Sequence, residues 1–170
     1  MRSADVRRDI RLAGQVKRYS TWPVLHTQST GEHSWQVLRI YIEIFGAPSP
    51  DVTIYIVHHD SAELVVGDPP FPLKSKNQDL KDIYDRLEAD AIQEMRGECL
   101  PVLSSDERTM VKVCDLLEMW EFGQQELRMG NSYAQPIVDD TRTAVNKIIR
   151  GWSLESTVLY WIQKRSEFYA

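Results

Sequence analysis

The chain has 170 residues, 42% of them apolar and 26% charged, and a net charge of −5. That length suits one domain, residues 1–170, with a single sizeable core, and the acidic balance argues against a nucleic-acid partner. No apolar run approaches the ~20 residues of a membrane span, and the N-terminal MRSADVRRDIRLAGQ lacks the apolar centre of a signal peptide.

Helical periodicity predominates along the chain. Ile10 to Tyr19 reads as a short helix. STGEHSWQVLRIYIEIFG opens on Ser29-x-x-Glu32, a capping box, continues through Val37, Leu38, Ile40, Tyr41, Ile44 and Phe45, and stops at Gly46. SPDVTIYIVHHDSAELVVG reads as one helix from Pro50 to a stop at Gly67; its β-branched run Val52 to Val57 would also suit a strand, but no partner strand with turn chemistry lies nearby. GDPPFPLKSKNQ is a loop, because its prolines preclude regular structure. Asn77 to Arg96 follows as a long amphipathic helix. A second capping box, Ser104-x-x-Glu107, starts a helix that runs to about Arg128. GNSYAQP reads as a loop, and Ile137 to Arg150 and Leu154 to Phe168 close the chain. The expected fold is therefore all-α, a bundle of about six or seven helices. Two cysteines, Cys99 and Cys114, suit a reducing, cytoplasmic setting and form no zinc framework.

Four side chains break the apolar pattern from inside. His33 lies in the first turn of its helix, His59 and Asp60 close an apolar stretch, and Asp115 sits within MVKVCDLLEMW. A buried aspartate without a partner is costly, so it is normally paired or on a metal. Asp115 also has Lys112 and Arg108 within reach on its own helix. As a set, two imidazoles and two carboxylates suit Zn²⁺, Mn²⁺ or Co²⁺; Mg²⁺ prefers more oxygen. Glu63, four residues after His59 on the same expected helix face, and Asp68 at the loop extend the set. A carboxylate beside such a cation can serve as general base or acid.

These residues resemble the HD-domain metal-dependent phosphohydrolases, which are all-α. EHSWQV (Glu32, His33, Ser34) looks like the family's first-histidine motif. HHDSAELVVGDPPFPLK looks like its H-D-x-x-E-x-x-x-x-D-x-P-x-P-x-K segment, and VCDLLE looks like its last-aspartate motif. Upstream, KRYSTWPVLHTQSTGEHS is similar to the Arg/Trp-Pro segment of the small deoxynucleotidase branch. Two groups fit: bacterial 5′-deoxynucleotidases, which cut deoxynucleoside monophosphates, and small phage dATP triphosphohydrolases. The RYSTWP and QSTGEHSWQV stretches look more like the phage type.

The resemblance implies that His33, His59, Asp60 and Asp115 hold the metal. It implies that Glu63 acts on the attacking water, with Asp68 assisting it or handling the leaving group. Arg18 and Lys74 would meet the phosphates, Trp22 would wall the base and Pro72 would lie near the sugar. One departure concerns Arg18: in the monophosphatases the arginine immediately precedes Trp-Pro, where this chain has Thr21. Lys76 and Lys81 could join Lys74. His58 receives no role and is read as packing or as a support behind the ligands. A phosphodiesterase, a nucleotide-binding domain without turnover and a purely structural bundle are the rival readings. Trp152, Tyr160 and Trp161 could cover a partner subunit, which suggests a homo-oligomer, dimer or hexamer.

Overall fold

A computed structural model describes residues 9–67 and 77–169 of the chain. The described residues are all-α. A 3-10 segment, Ile10–Gln15, precedes α1 (Thr30–Phe45), α2 (Pro50–His58), α3 (Glu63–Val66), α4 (Gln78–Arg96), α5 (Ser105–Arg128), α6 (Gln135–Ile149) and α7 (Glu155–Tyr169).

The helix starts follow side-chain chemistry. Ser29, Ser49, Asn77 and Ser104 each accept a backbone N–H in the first turn of the helix they precede. At Ser104 the box is reciprocal, with the Glu107 carboxylate returning to the Ser104 N–H at 2.9 Å. At Ser29 only half of it forms. Glu32 contributes its N–H to Ser29, but its carboxylate turns away to His26 Nε2 at 3.0 Å.

One core unites α1, α2, α5, α6 and α7. Val37, Ile40, Val52, Ile56, Val113, Leu117, Val145, Val158 and Ile162 are fully buried within it. The most extensive packing is of α5 on α6, and it depends on Gly123. A Cβ there would lie 2.8 Å from Val138 Cγ2 and 3.3 Å from Ile137 Cγ2. Trp161 belongs to this core, with its indole N–H on Glu43 at 2.9 Å, and Trp152 packs edge-on against Phe45. Of the aromatics expected to face a partner, only Tyr160 is strongly exposed.

Three elements differ from expectation. The N-terminal helix is a short 3-10 segment ending at Gln15, after which the chain pairs Lys17 with Ser29 in an isolated antiparallel bridge. The GNSYAQP stretch is not wholly a loop, because Asn131 Oδ1 caps a 3-10 turn at Ser132–Ala134 and α6 begins at Gln135. The helix expected from Pro50 to Gly67 breaks at His59. From Ser61 N to Val65 N the backbone bonds run to i−3: Ser61 to His58, Glu63 to Asp60, Leu64 to Ser61. In that tighter winding residues three apart eclipse one another. Glu63 therefore aligns with Asp60 rather than with His59.

Candidate active site

The first turn of α1, the end of α2 and the middle of α5 converge on one point. His33 is completely buried on α1. Its Nδ1 lies 2.6 Å from Glu118 Oε2. Its Nε2 faces Asp115 Oδ1 at 3.3 Å and Asp60 Oδ2 at 3.5 Å. His59, at the end of α2, has Nδ1 on the Ile56 carbonyl at 2.8 Å and Nε2 at 3.4 Å from Asp60 Oδ1. The two imidazole centroids are 5.4 Å apart.

Both Nε2 atoms are buried and make no hydrogen bond among the described residues. In each ring an oxygen acceptor occupies Nδ1 and holds a proton there, so Nε2 is the atom left to meet a cation. One donor atom from each of His33, His59 and Asp60 falls within 4.8 Å of the others, and Asp115 adjoins His33. Two imidazole nitrogens and the Asp60 carboxylate gathered at one point, with Asp115 beside His33, fit a divalent cation.

The electrostatics agree. Burial pushes the Asp60 carboxyl up, but His59, Arg18 and His33 outweigh it and hold it ionised. Asp115 is held well below the ordinary range: burial opposes this, while Lys112 and the imidazoles favour it. Burial, and then Arg18, press His33 toward neutrality; Glu118 and Asp115 bring it up to about 9. Those carboxylates favour positive charge on the ring, and a cation at Nε2 would take the place of that proton.

Arg18 reaches this cluster from the segment before α1. Its NH1 pairs with Asp60 and lies 3.9 Å from Glu63 Oε1, consistent with the alignment of those two carboxylates. The approach has a local cause. Arg18 N–H donates to the Gln28 carbonyl at 3.0 Å and Thr30 N–H to Val16 at 2.9 Å. Tyr19 takes φ 57° and stacks on Phe122, with centroids 4.3 Å apart. That reversal sends Arg18 inward and the following turn outward.

Trp22 sits in that turn, about one-third exposed, with its indole N–H on the Tyr133 carbonyl at 3.2 Å. The neighbouring strand of loop is clamped by Glu126, which accepts Leu25 N–H and His26 N–H at 2.7 Å each. His58 turns away from the cluster. Its Nδ1 meets Ser61 Oγ at 3.3 Å, and burial, helped by Arg96, lowers its pKa. Asp68, Pro72, Lys74 and Lys76 lie outside the described residues. Lys81 pairs with Asp85 on the exposed face of α4.

Glu118 is an addition that sequence reasoning left unused, and Lys112 was read only as a local partner for Asp115. Lys112 Nζ lies 2.7 Å from Asp115 Oδ2, so the local pair expected for Asp115 coexists with its place in the cluster. Glu118 follows Asp115 by one helical turn, and that i, i+3 spacing was the available signal.

A family model, 5′-deoxynucleotidase YfbR-like, matches residues 10–163. The chain belongs to the YfbR-like 5′-deoxynucleotidase family. Membership makes it a hydrolase of deoxynucleotides. It is 28% identical over 147 residues to a 5′-deoxynucleotidase of Vibrio cholerae, covering 71% of this chain and 76% of that protein. It is 26% identical over 143 residues to the 5′-deoxynucleotidase YfbR of Escherichia coli, covering 69% and 72%. Its fold is similar to that of the cyanophage S-2L HD phosphohydrolase DatZ, solved with dA and one catalytic Zn²⁺ ion. The TM-score is 0.75 at 18% identity, over 96% of both chains. The helical HD-type fold of this family member is thus the one expected from EHSWQV, HHDSAELVVGD and VCDLLE.

Proposed function

We propose that this chain, as a single catalytic domain, cleaves the bond between the α-phosphorus and the 5′-oxygen of a 2′-deoxynucleotide, releasing the deoxynucleoside. The observation that carries the reading is the pair of buried Nε2 atoms that have no hydrogen-bond partner among the described residues and face Asp60 and Asp115. His33, His59, Asp60 and Asp115 would hold a divalent cation, Zn²⁺, Co²⁺ or Mn²⁺ in preference to Mg²⁺. Such a cation stabilises charge on phosphate oxygens and acidifies water.

The chain's own groups supply the rest. Glu63, aligned with Asp60 by the 3-10 winding, orients the attacking water and takes its proton. Arg18 and Lys112 bring positive charge to the cluster and offset charge spread over the phosphate oxygens. In this reading an arriving phosphate takes over guanidinium donors that Asp60 now occupies. The partly exposed Trp22 offers an aromatic face to the base. Asp68, Pro72 and Lys74 keep the roles that the resemblance implies: proton handling, an apolar wall at the sugar that rejects a ribose hydroxyl, and phosphate binding.

Our first substrate is dATP, giving deoxyadenosine and triphosphate. The phage-like RYSTWP and QSTGEHSWQV stretches and an end-to-end fold likeness to a phage phosphohydrolase that binds dA support it. The second reading is release of phosphate from deoxynucleoside monophosphates, supported by the family match and the bacterial relatives. Both break the same ester bond and free the same nucleoside. The test is to incubate the protein with each dNTP, dNMP and rNTP plus Co²⁺, Mn²⁺ or Zn²⁺ and to resolve the products. Triphosphate with deoxyadenosine supports the first reading; orthophosphate from several dNMPs supports the second. No nucleoside released from any of them defeats both.

No helix of the described residues is long and apolar enough to cross a membrane, and we place the enzyme in the cytoplasm, the host's if it is phage-encoded. A homo-oligomer, dimer or hexamer, is also part of the proposal. Exposed Tyr160 on α7 and Ile83 and Leu87 on α4 offer apolar surface for it. A monomeric mass in solution would reject that part.

A further inference from the structure

Glu118 is 3% exposed, yet the hydrogen bonds its carboxylate makes go to uncharged or conditionally charged groups. Oε2 meets His33 Nδ1 at 2.6 Å, and Oε1 accepts from Gln28 Nε2 at 2.6 Å. Burying a carboxylate in such company is expensive unless positive charge lies close by. Arg18 supplies part of that charge from a distance. A cation on the far side of the imidazole would supply the remainder.

Asp115 and Glu118 stand one turn apart on α5 and grip opposite edges of the same ring, Asp115 at Nε2 and Glu118 at Nδ1. A carboxylate can only accept at Nδ1, so it holds the proton there and keeps the Nε2 lone pair directed into the cluster. Gln28 in turn fixes the carboxylate. Its own carbonyl receives the Arg18 N–H, which ties the Arg18 segment to the same support.

We propose that Glu118 is the positioning residue of this centre, locking His33 in the tautomer and orientation that a cation requires, with Gln28 as its anchor. The proposal rests on the reading that His33, His59, Asp60 and Asp115 hold a divalent cation. It separates Glu118 from an ordinary buried polar residue, because it makes metal affinity more sensitive to Glu118 than folding is.

The geometry also ranks the substitutions. In Glu118→Gln the new amide oxygen can still accept from His33 Nδ1 if its NH₂ turns to Gln28. Gln28 can receive it, because its Oε1 has no donor among the described residues. In Glu118→Leu neither bond survives. In the double variant Glu118→Gln/Gln28→Leu nothing holds the new amide in the productive orientation.

The test measures Co²⁺ and Zn²⁺ affinity by competition with a chelating dye, beside the melting temperature of each metal-free variant. Long-range ¹H–¹⁵N correlation spectra of the metal-free protein, at a pH where the imidazole is neutral, then give the His33 tautomer. Wild type is expected to show the proton on Nδ1. Glu118→Leu should lose about 10–100-fold in metal affinity, Glu118→Gln should lie within about tenfold of wild type with the tautomer kept, and the double variant should fall to the Leu level. Glu118→Leu binding Co²⁺ as wild type does overturns the proposal. If Glu118→Leu does not fold, the double variant decides: wild-type affinity there, or an unchanged tautomer with lost affinity, overturns it equally. Wild-type protein that binds no metal refutes the metal-site reading itself, a result distinct from either.

Discussion

Glu126 provides the sharpest test of how the loop carrying Trp22 is held. This carboxylate is fully buried on α5 and accepts three N–H groups: Leu25 N and His26 N at 2.7 Å, and Asn131 Nδ2 at 2.6 Å. Asn131 also donates to the Pro23 carbonyl at 2.7 Å, so one cluster fixes the loop on both sides. In Glu126→Gln, one oxygen still serves a backbone N–H, while the new NH₂ confronts another donor. Hydrogen bonds to a charged group contribute about 1.5–3 kcal/mol each, and a buried donor left without an acceptor costs about 1–3 kcal/mol. After local relaxation the expected loss is about 2–4 kcal/mol. At about 2–4 °C per kcal/mol for a chain of this size, the melting temperature should fall by roughly 5–15 °C. The pH dependence gives a second readout. Burial works to raise the Glu126 pKa, but the Leu25, Asn131 and His26 donors outweigh it and lower the net value. The stabilisation is therefore complete above the unfolded carboxyl's value, about 4.3, and is lost as pH falls through the lower folded value. Thermal melts by circular dichroism from pH 3 to 7 measure both. The variant should melt lower at pH 7 and converge on wild type in acid. A Glu126→Gln protein melting within a degree of wild type at pH 7 refutes the reasoning.

Three further outcomes are expected. His59→Ala or Asp60→Ala should abolish both metal binding, read by elemental analysis, and turnover; full activity in Asp60→Ala would contradict the site. Glu63→Gln should retain the metal while kcat drops by about 10²–10⁴, the usual contribution of a general base, and an unchanged kcat would remove Glu63 from that role. Gly123→Ala gains about 1 kcal/mol of helix propensity but drives its Cβ to 2.8 Å from Val138 Cγ2 and 3.4 Å from the Val138 backbone nitrogen. Overpacking of that kind costs about 1–3 kcal/mol, so the melting temperature should drop by a few degrees, whereas a rise would show that α6 can shift away.

Much of the fold was legible because its signals are local. Serine caps, the Pro50 start, the Gly46 stop and the 3.6-residue periodicity act within one turn of chain, and the helices they predict are present in the described residues. The misreadings arose where local signals conflict with distant partners. Glu32 satisfies the capping pattern in sequence, but His26 takes its carboxylate. The β-branched and apolar residues from Val52 to Val66 look like one helix. The break at His59 follows from hydrogen bonds that switch from i−4 to i−3, which residue pattern alone does not encode.

The candidate site divides along the same line. His33, His59, Asp60 and Asp115 stand out in sequence because polar groups in apolar surroundings need partners. Motif spacing ties them to one family, and that information is linear. What those groups touch is not linear. That Arg18 turns inward onto Asp60, that Asp115 and Asp60 meet His33 Nε2 and that Glu118 grips its Nδ1 all depend on how the Arg18 segment, α1, α2 and α5 come together. Side chains from separate helices meet only after the core has fixed those crossings. The sequence by itself determined the chemical type of the centre and its helical frame. Tertiary structure decided which nitrogen of each imidazole faces inward and which charges stand beside it, because burial and hydrogen-bond geometry are properties of the packed chain.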